Sequence, residues 1–496
     1  MLRIPDLRGI AELTWEKASH EGKRATNGFT IRIQNEKHVM NQPGKHSRAL
    51  GEERIGPLLF RLSVPATVGM LAMALYNVVD TIFVGRGLGA MAIAGISIVM
   101  PIQMLIFSLS QSLGIGAASI ISRKLGSRDL PAAEKALGNV VLLSVAISGG
   151  IVIIGYLFTH EFLALFGSRG AMVPFAYDYF IYILIGSPFL MLDMVLNNVN
   201  RAEGNLKFAM ITMIFAAVLN IIFDPIFIFG FHLGVKGAAI ASDLSQVLTL
   251  FFLLGYFYRG YSVVRFRWKA FKPDFKVIKE ILAIGASSFV RHGAASVLIA
   301  FMNHLLFIFG SELAVAVFGI ITRIMRMTFM PLAGLVQAFL PIVGYNYGAK
   351  NFKRVRKTLR LSVISSTIIV TGIFLFLMIF ARPIFTLFSK NEQLVREGSR
   401  ALRIIILVTP IVGFQMIGAA YFQALGKALS AFILALSRQI LFLFPFLVIL
   451  PRFFGLNGIW FSFPMADFFS FLVTLIMVLP EWRRITLLSK APRSAS

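Results

Sequence analysis

The chain has 496 residues, of which 57% are hydrophobic and 14% charged, and its formal net charge is +25. A soluble domain carries about 25% charged residues, so this balance excludes an ordinary water-soluble protein and points to a bilayer. There is no cysteine, which excludes disulfides and thiolate metal sites. The positive charge sits in short segments between apolar runs, so it reports membrane topology rather than nucleic-acid contact.

In chain order, residues 1–56 are polar and basic, with no apolar core that would mark a cleavable signal peptide. They are expected to form a disordered cytoplasmic tail, and Met40 is as natural a start as Met1. A spanning helix needs roughly 20 apolar residues. Runs of that kind fall at 57–84, 92–122, 137–158, 174–199, 208–229 and 237–258, then at 281–308, 313–346, 361–380, 401–422, 429–450 and 457–479. The runs at 92–122 and 313–346 exceed one crossing, which implies tilt or extension beyond the bilayer. The fold class expected is an all-α polytopic membrane protein of twelve transmembrane helices. Its parts are a tail (1–56), a first six-helix lobe (57–258), a cytoplasmic linker (259–280), a second lobe (281–480) and a tail (481–496).

Lys and Arg orient the spans. With the N-terminus inside, the internal segments hold 34 of them and the external loops 7. That asymmetry places both termini in the cytoplasm and makes the protein a multi-pass component of the inner (plasma) membrane. Membrane lipids are its expected surroundings, a monomer its expected state, and nucleic acid is not among its partners.

The halves repeat. Shifted by 222 residues, Ala92 meets Ala314, Gly126 meets Gly348, Lys135 meets Lys357, Pro188 meets Pro410 and Gly204 meets Gly426, with 10 identities over 90–137. Six helices per copy is an even number, so both copies insert in the same sense. Two lobes related by a pseudo-two-fold axis along the membrane normal are expected, facing one another across a midplane cavity.

An ionisable residue at bilayer depth costs about 2.5–3.5 kcal/mol on insertion scales and so needs a reason. Asp80, in YNVVDTIFVG, lies near the outer end of the first helix. Asp224, in NIIFDPIFIFG, lies near the outer end of the fifth, with Asn220 one turn below on the same face. Ser242 on the sixth helix descends to the same depth, roughly 8–9 Å below the boundary at 1.5 Å per residue. In the second copy Asp80 corresponds to Met302 and Asp224 to a position near Phe444, so the fold does not require these carboxylates. They suit two tasks. Asp80, Asn220 and Asp224 would form a hard oxygen cage for the metal ion Na⁺, or the two carboxylates, desolvated and close, would share a proton. The sequence does not choose between Na⁺ and H⁺. A purely structural role, capping backbone around Pro225, is the alternative.

Asp193, Asn197 and Asn200 share one face of the fourth helix, suited to gating, packing or a cavity wall. Arg291 and His292 lie inside the seventh helix, Asn303 and His304 near its end, Arg323 and Arg326 in the eighth, and Asp467 in the twelfth. An ion pair within the second lobe, or a cavity lined partly by positive charge, accounts for them. Met and Phe on cavity walls would provide adaptable surfaces. No GxxxxGK[ST] and no HExxH is present, so neither ATP hydrolysis nor metal-assisted hydrolysis is expected. The chain reads as no enzyme and needs no cofactor beyond a coupling ion.

The run P-x(10)-YNVVDTIFVGRGLG at 65–89 resembles the first helix of the multidrug and toxic compound extrusion (MATE) family. So do RAEGNLKFAM at 201–210, NIIFDPIFIFG at 220–230, GVKGAAIAS at 234–242 and VGYNYGAKNFKRVRK at 343–357. The resemblance covers about 57–480 and implies a prokaryotic-type antiporter. Such a protein exports small amphipathic organic compounds in exchange for Na⁺ or H⁺ by alternating access. It also implies that Asp80, Asn220, Asp224 and Ser242 form the cation site. Other branches of the family place carboxylates on the seventh and tenth helices. Here those helices carry Arg291, His292 and Gln415, so that second site is expected to be absent and a purely cationic cargo is in question. A flippase for a lipid-linked saccharide, or an exporter of an anionic metabolite, is the rival reading.

Overall fold

A computed structural model describes residues 45–490, and among them every regular element is helical. Helices are the natural outcome, because apolar surroundings leave backbone N–H and C=O groups no partners but their own. A short helix α1 (Lys45–Glu52) comes first. The first half then forms α2 (Ile55–Gly89), α3 (Met91–Gly126), α4 (Leu130–Leu157), the short α5 (Thr159–Leu165), α6 (Val173–Ala202), α7 (Leu206–Gly230) and α8 (Val235–Tyr258). Gly89 separates α2 from α3 at φ 78°, ψ −176°, a conformation open to glycine without a Cβ clash.

The second half comprises α9 (Phe275–Phe309), α10 (Glu312–Thr328), α11 (Met330–Gly348), α12 (Phe352–Phe388), α13 (Glu392–Ile405), α14 (Thr409–Leu425), α15 (Ala428–Leu436) and α16 (Phe444–Lys490). The run expected as one long helix over 313–346 is instead a pair, α10 and α11, bent by 42°; α13 and α14 meet at 51°. Pro331 and Pro410 stand in the first turn of α11 and α14, where proline is accommodated but cannot continue a preceding helix. By length and apolarity eight of the described helices can cross a membrane, or ten if each bent pair is one span. One of the eight, Ala428–Lys490, runs 63 residues, about 95 Å if straight. It breaks at Gly455 (φ 55°, ψ −137°).

The backbone itself shows recurrences. Arg128 and Lys350 both have positive φ (60° and 53°), as do Gly204 and Gly426 (88° and 76°). Gly234 (φ 62°, ψ −135°) has nearly the geometry of Gly455.

The two halves meet through helices that approach backbone to backbone. A methyl placed on Gly126 of α3 would stand 1.9 Å from the carbonyl oxygen of Tyr345 on α11. One placed on Gly348 of α11 would stand 1.9 Å from that of Arg123 on α3. Gly334 packs on the Ser63 carbonyl and Gly285 on that of Ser112. The largest apolar cluster joins both halves around these contacts, from Leu58 and Ile121 to Phe339 and Ile485. The other two clusters are separate. One draws only on 84–239, the other only on 298–466. Apolar packing therefore unites the halves at the end of the bundle that holds the inter-half segment (the linker end) and divides them at the far end.

The tail expected to run to residue 56 is shorter, because α1 is folded onto the linker end. Residues 1–44 of that tail, Met40 included, and 491–496 of the C-terminal one lie outside the described residues. Ser47 donates to the Glu203 carbonyl (3.1 Å), and Asn346 and Arg354 donate to the Leu50 carbonyl (2.8 and 3.0 Å). Arg354 also donates to the Glu53 carbonyl (2.8 Å). One short helix thus ties the α6–α7 turn to α11 and α12. Glu203, 1% exposed, accepts from Ser262 Oγ (2.5 Å) and from the backbone N–H groups of Val264 (3.0 Å) and Val263 (3.2 Å). It thereby fixes the segment between the halves.

Two expectations follow from these contacts. Gly126→Ala and Gly348→Ala each lower the thermal midpoint of the solubilised protein by the equivalent of about 1–3 kcal/mol, the usual cost of overpacking. Gly149→Ala, where nothing lies within 4 Å, does not; equal shifts in all three would refute the close-crossing account. For Glu203, burial pushes the carboxyl up to about 7, above the ordinary value near 4.3. A carboxyl raised by folding favours the protonated form. Its stabilisation is therefore complete below about pH 4.3 and lost as pH rises through about 7. The thermal midpoint falls between pH 5 and 8, and Glu203→Gln flattens that slope; an unchanged slope would exclude Glu203 as its source.

Candidate functional site

Three helices bring the conspicuous polar residues of the first half together. α7 leaves the linker end at Leu206, so Asp224 lies about 27 Å along it, in the far half of the bundle. Pro225 follows directly, and the helix finishes as a π turn over Ile226–Gly230. Such a local widening is common at functional sites. Asn220, one turn earlier, donates from Nδ2 to Ser242 Oγ on α8 (3.2 Å) and to Asp224 Oδ1 (3.4 Å). Asp80 of α2 completes the group, its carboxyl within hydrogen-bonding reach of that of Asp224. Asp224 and Asn220 are buried (0% and 3% exposed).

The arrangement is rich in acceptors and short of donors. Asp80 Oδ1, Asn220 Oδ1 and Asp224 Oδ2 are buried and accept no hydrogen bond from any described residue. A buried oxygen left so costs roughly 1–3 kcal/mol, more when charged. An environment of unsatisfied oxygens suits a hard monovalent cation or a proton, either of which removes the deficit. No group of three His, Asp or Glu capable of holding a metal ion occurs among the described residues. The donor set present is two carboxylates, an amide and a hydroxyl.

Beside it lies a cavity of about 460 Å³. Asn220 and Ser242 belong to its wall as well as to the carboxylate group. From α6 the wall takes Asp193, Asn197, Asn198 and Arg201, and from α9 Arg291 and His292; Met70, Met73, Met194, Met213 and Met416 provide apolar surface. Asn197 also donates to the Ala209 carbonyl (3.1 Å) and to Thr212 Oγ1 (2.6 Å), clamping α6 to α7. Asn200 differs from its two face-mates. It is fully buried, stands apart from the cavity, and has both amide atoms without partners.

In the second half an ion pair is present, but with a different cation. Asp467 of α16 is held by Arg438 (Nε–Oδ1 2.5 Å) from the π turn Ser437–Leu443. Gln415 of α14 donates to the Asp467 carbonyl. Arg323 and Arg326 are exposed on α10, and His304 is exposed on α9. Asp467 is buried and Arg438 is partly exposed, so removing the arginine would strand a buried carboxylate, which assigns the pair to the scaffold. Met302, at the position matching Asp80, sits in an apolar cluster.

Sequence reasoning passed over three residues. Arg201 reads as an end-of-helix charge yet lines the cavity. Arg438 stands inside an apolar run of the sequence. Asp243, next to Ser242, packs so closely over Gly186 of α6 that no Cβ fits there. Like Asp80, Asp243 and Arg438 are ionisable residues standing inside apolar runs.

The MatE family model matches residues 65–226 and 288–449. The multidrug export protein MepA of Staphylococcus aureus is 26% identical over 423 residues, covering 85% of this chain and 92% of its own. Its counterpart from Staphylococcus haemolyticus is 26% identical over 435 residues, covering 88% and 96%. Among solved structures, the MATE multidrug transporter DinF-BH, solved as a complex, is 41% identical, with a TM-score of 0.82 over 88% of this chain and 98% of that one. A MATE in the bent conformation gives 0.85 at 27% identity, over 91% and 100%. An all-helical bundle, two matches to one family model and near-complete coverage of these relatives place this chain in the MatE family, as a multi-pass membrane transporter of the multidrug efflux type and not an enzyme.

Proposed function

We propose that the protein is a secondary antiporter of the inner (plasma) membrane, exporting small amphipathic organic compounds in exchange for Na⁺ or H⁺. The observation that carries this reading is the shared wall. Asn220 and Ser242 face the 460 Å³ cavity and also hydrogen-bond within the Asp80–Asp224 group. A cation reaching the carboxylates neutralises them and redirects the Asn220 amide, so the cavity wall changes with ion occupancy. Cargo and ion then bind at each other's expense, which is what exchange requires.

Two lobes of six helices, related by a pseudo-two-fold axis along the membrane normal, provide the alternating access. The 222-residue offset supports that arrangement. It relates Arg128 to Lys350 and Gly204 to Gly426 in backbone conformation. It also relates the Gly126–Tyr345 contact to Gly348–Arg123, and Ser63–Gly334 to Gly285–Ser112. The family model's two matches fall 223 residues apart. Twelve crossings result when Ala428–Lys490 counts as two spans about Gly455 and α9 counts as one. The lysine and arginine bias makes the linker end cytoplasmic, with both termini inside. Membrane lipid and a small-molecule cargo are its partners, and it works as a monomer.

The test is flux in proteoliposomes under an imposed pH gradient and, separately, an imposed Na⁺ gradient. One gradient drives cargo uphill and thereby names the ion. Asp80→Asn and Asp224→Asn each bring gradient-driven flux to background with the thermal midpoint retained, and Ser242→Ala weakens ion dependence by about fivefold, the worth of one hydrogen bond. Wild-type coupled flux in both carboxylate variants would show that the site is elsewhere.

A further inference from the structure

The cavity has an unequal charge balance. Its wall carries one carboxylate, Asp193, and two guanidinium groups, Arg201 and Arg291. Arg291 lies halfway along α9, about 24 Å from the start of that helix. It donates to Ser288 Oγ one turn back, a long contact of 3.5 Å, and forms no salt bridge with a described carboxylate. Arg201 lies within electrostatic range of Asp193 but is set against the Met213 sulfur (3.3 Å). Asp193 Oδ1 accepts no hydrogen bond.

Taking a guanidinium out of water without a counter-charge costs several kcal/mol. The second half meets that requirement for Arg438 with Asp467, whereas Arg291 has five donors and an open cavity in front of it. The cation-site carboxylates, Asp80 and Asp224, are not part of the cavity wall. What faces the cargo is therefore a net positive, methionine-rich surface with one carboxylate at some distance from the free arginine.

We infer that the cargo is an aromatic or otherwise apolar molecule bearing an anionic group, a carboxylate or sulfonate recognised by Arg291, with any basic group received by Asp193. This rests on the cavity being the cargo site, and it narrows that reading from amphipathic compounds in general to organic anions and zwitterions. A planar carboxylate matches the guanidinium fork in a two-bond geometry that an ester or quaternary ammonium group lacks.

The test uses one xanthene dye in two forms, the free carboxylate (a zwitterion) and its ethyl ester (a cation), with binding measured by fluorescence polarisation on the full-length purified protein. Wild type binds the carboxylate about tenfold or more tighter than the ester, the worth of one charged hydrogen-bonded contact. In Arg291→Gln the affinity ratio collapses towards one, and Arg291→Lys restores part of it, since the lysine keeps the charge and loses the fork. Arg323→Gln, which removes an exposed arginine that is not part of the cavity wall, keeps the ratio. Equal affinity for the two dyes in wild type, or an unchanged ratio in Arg291→Gln with the thermal midpoint retained, would overturn the anion assignment alone. Binding of neither dye would overturn the cavity reading and this inference with it.

Discussion

The close crossing of α3 and α11 is the constraint on which the rest of the structure depends. Two helices can touch backbone to backbone only where neither presents a side chain. Gly126 and Gly348 meet that condition from opposite sides of the same contact. Because association between apolar helices in a bilayer gains little from the hydrophobic effect, close packing of small residues is its main attraction. The joint apolar cluster forms around that crossing, and the two remaining clusters stay within their own halves. A cavity between the halves is the geometric result: helices held together at one end and packed separately at the other leave space between them. The short helix α1 adds hydrogen bonds from both halves to the end already closed.

That space acquires chemistry through an economy of residues. Asn220 and Ser242 stand in the wall of the cavity and hydrogen-bond to each other, with Asn220 also donating to Asp224. Ionisable groups in the first half are left short of partners, with oxygens of Asp80, Asp193 and Asp224 unsatisfied. In the second half the buried acid is neutralised by Arg438 and its carbonyl is engaged by Gln415. A satisfied pair such as Arg438–Asp467 fixes packing, whereas Arg291, in the same half, faces the cavity without a salt bridge.

Much of this was legible from residue order. The six spans of the first half come within seven residues of their expected positions because each is a long apolar run bounded by Gly, Pro or charge. Asp80, Asn220, Asp224 and Ser242 were marked by the cost of polar groups at depth together with a second copy that does without the acids, and they do come together. Asp193, Asn197, Arg291 and His292 do line one cavity. Other expectations gave way to packing. The run 313–346 is two helices at 42°, since hydropathy records apolarity and not axis direction. Residues 45–52 fold as a helix because Leu50 finds a buried site against other segments. Asn200 shares a helical face with Asp193, yet that face curves from cavity to packed interior within two turns.

What the sequence determined by itself was everything set by local pattern: apolar runs that become helices, an excess of Lys and Arg in alternate connecting segments, the 222-residue repeat, and ionisable residues standing inside apolar runs. What only the tertiary structure decided was which distant groups become neighbours. Arg438 rather than Arg323 or Arg326 pairs with Asp467, Arg201 turns towards the cavity, and Arg291 faces it without a counter-charge. A linear pattern specifies how far along a helix a charge lies. Whether that charge is met, and by what, depends on the rotation and crossing of helices brought together from opposite ends of the chain.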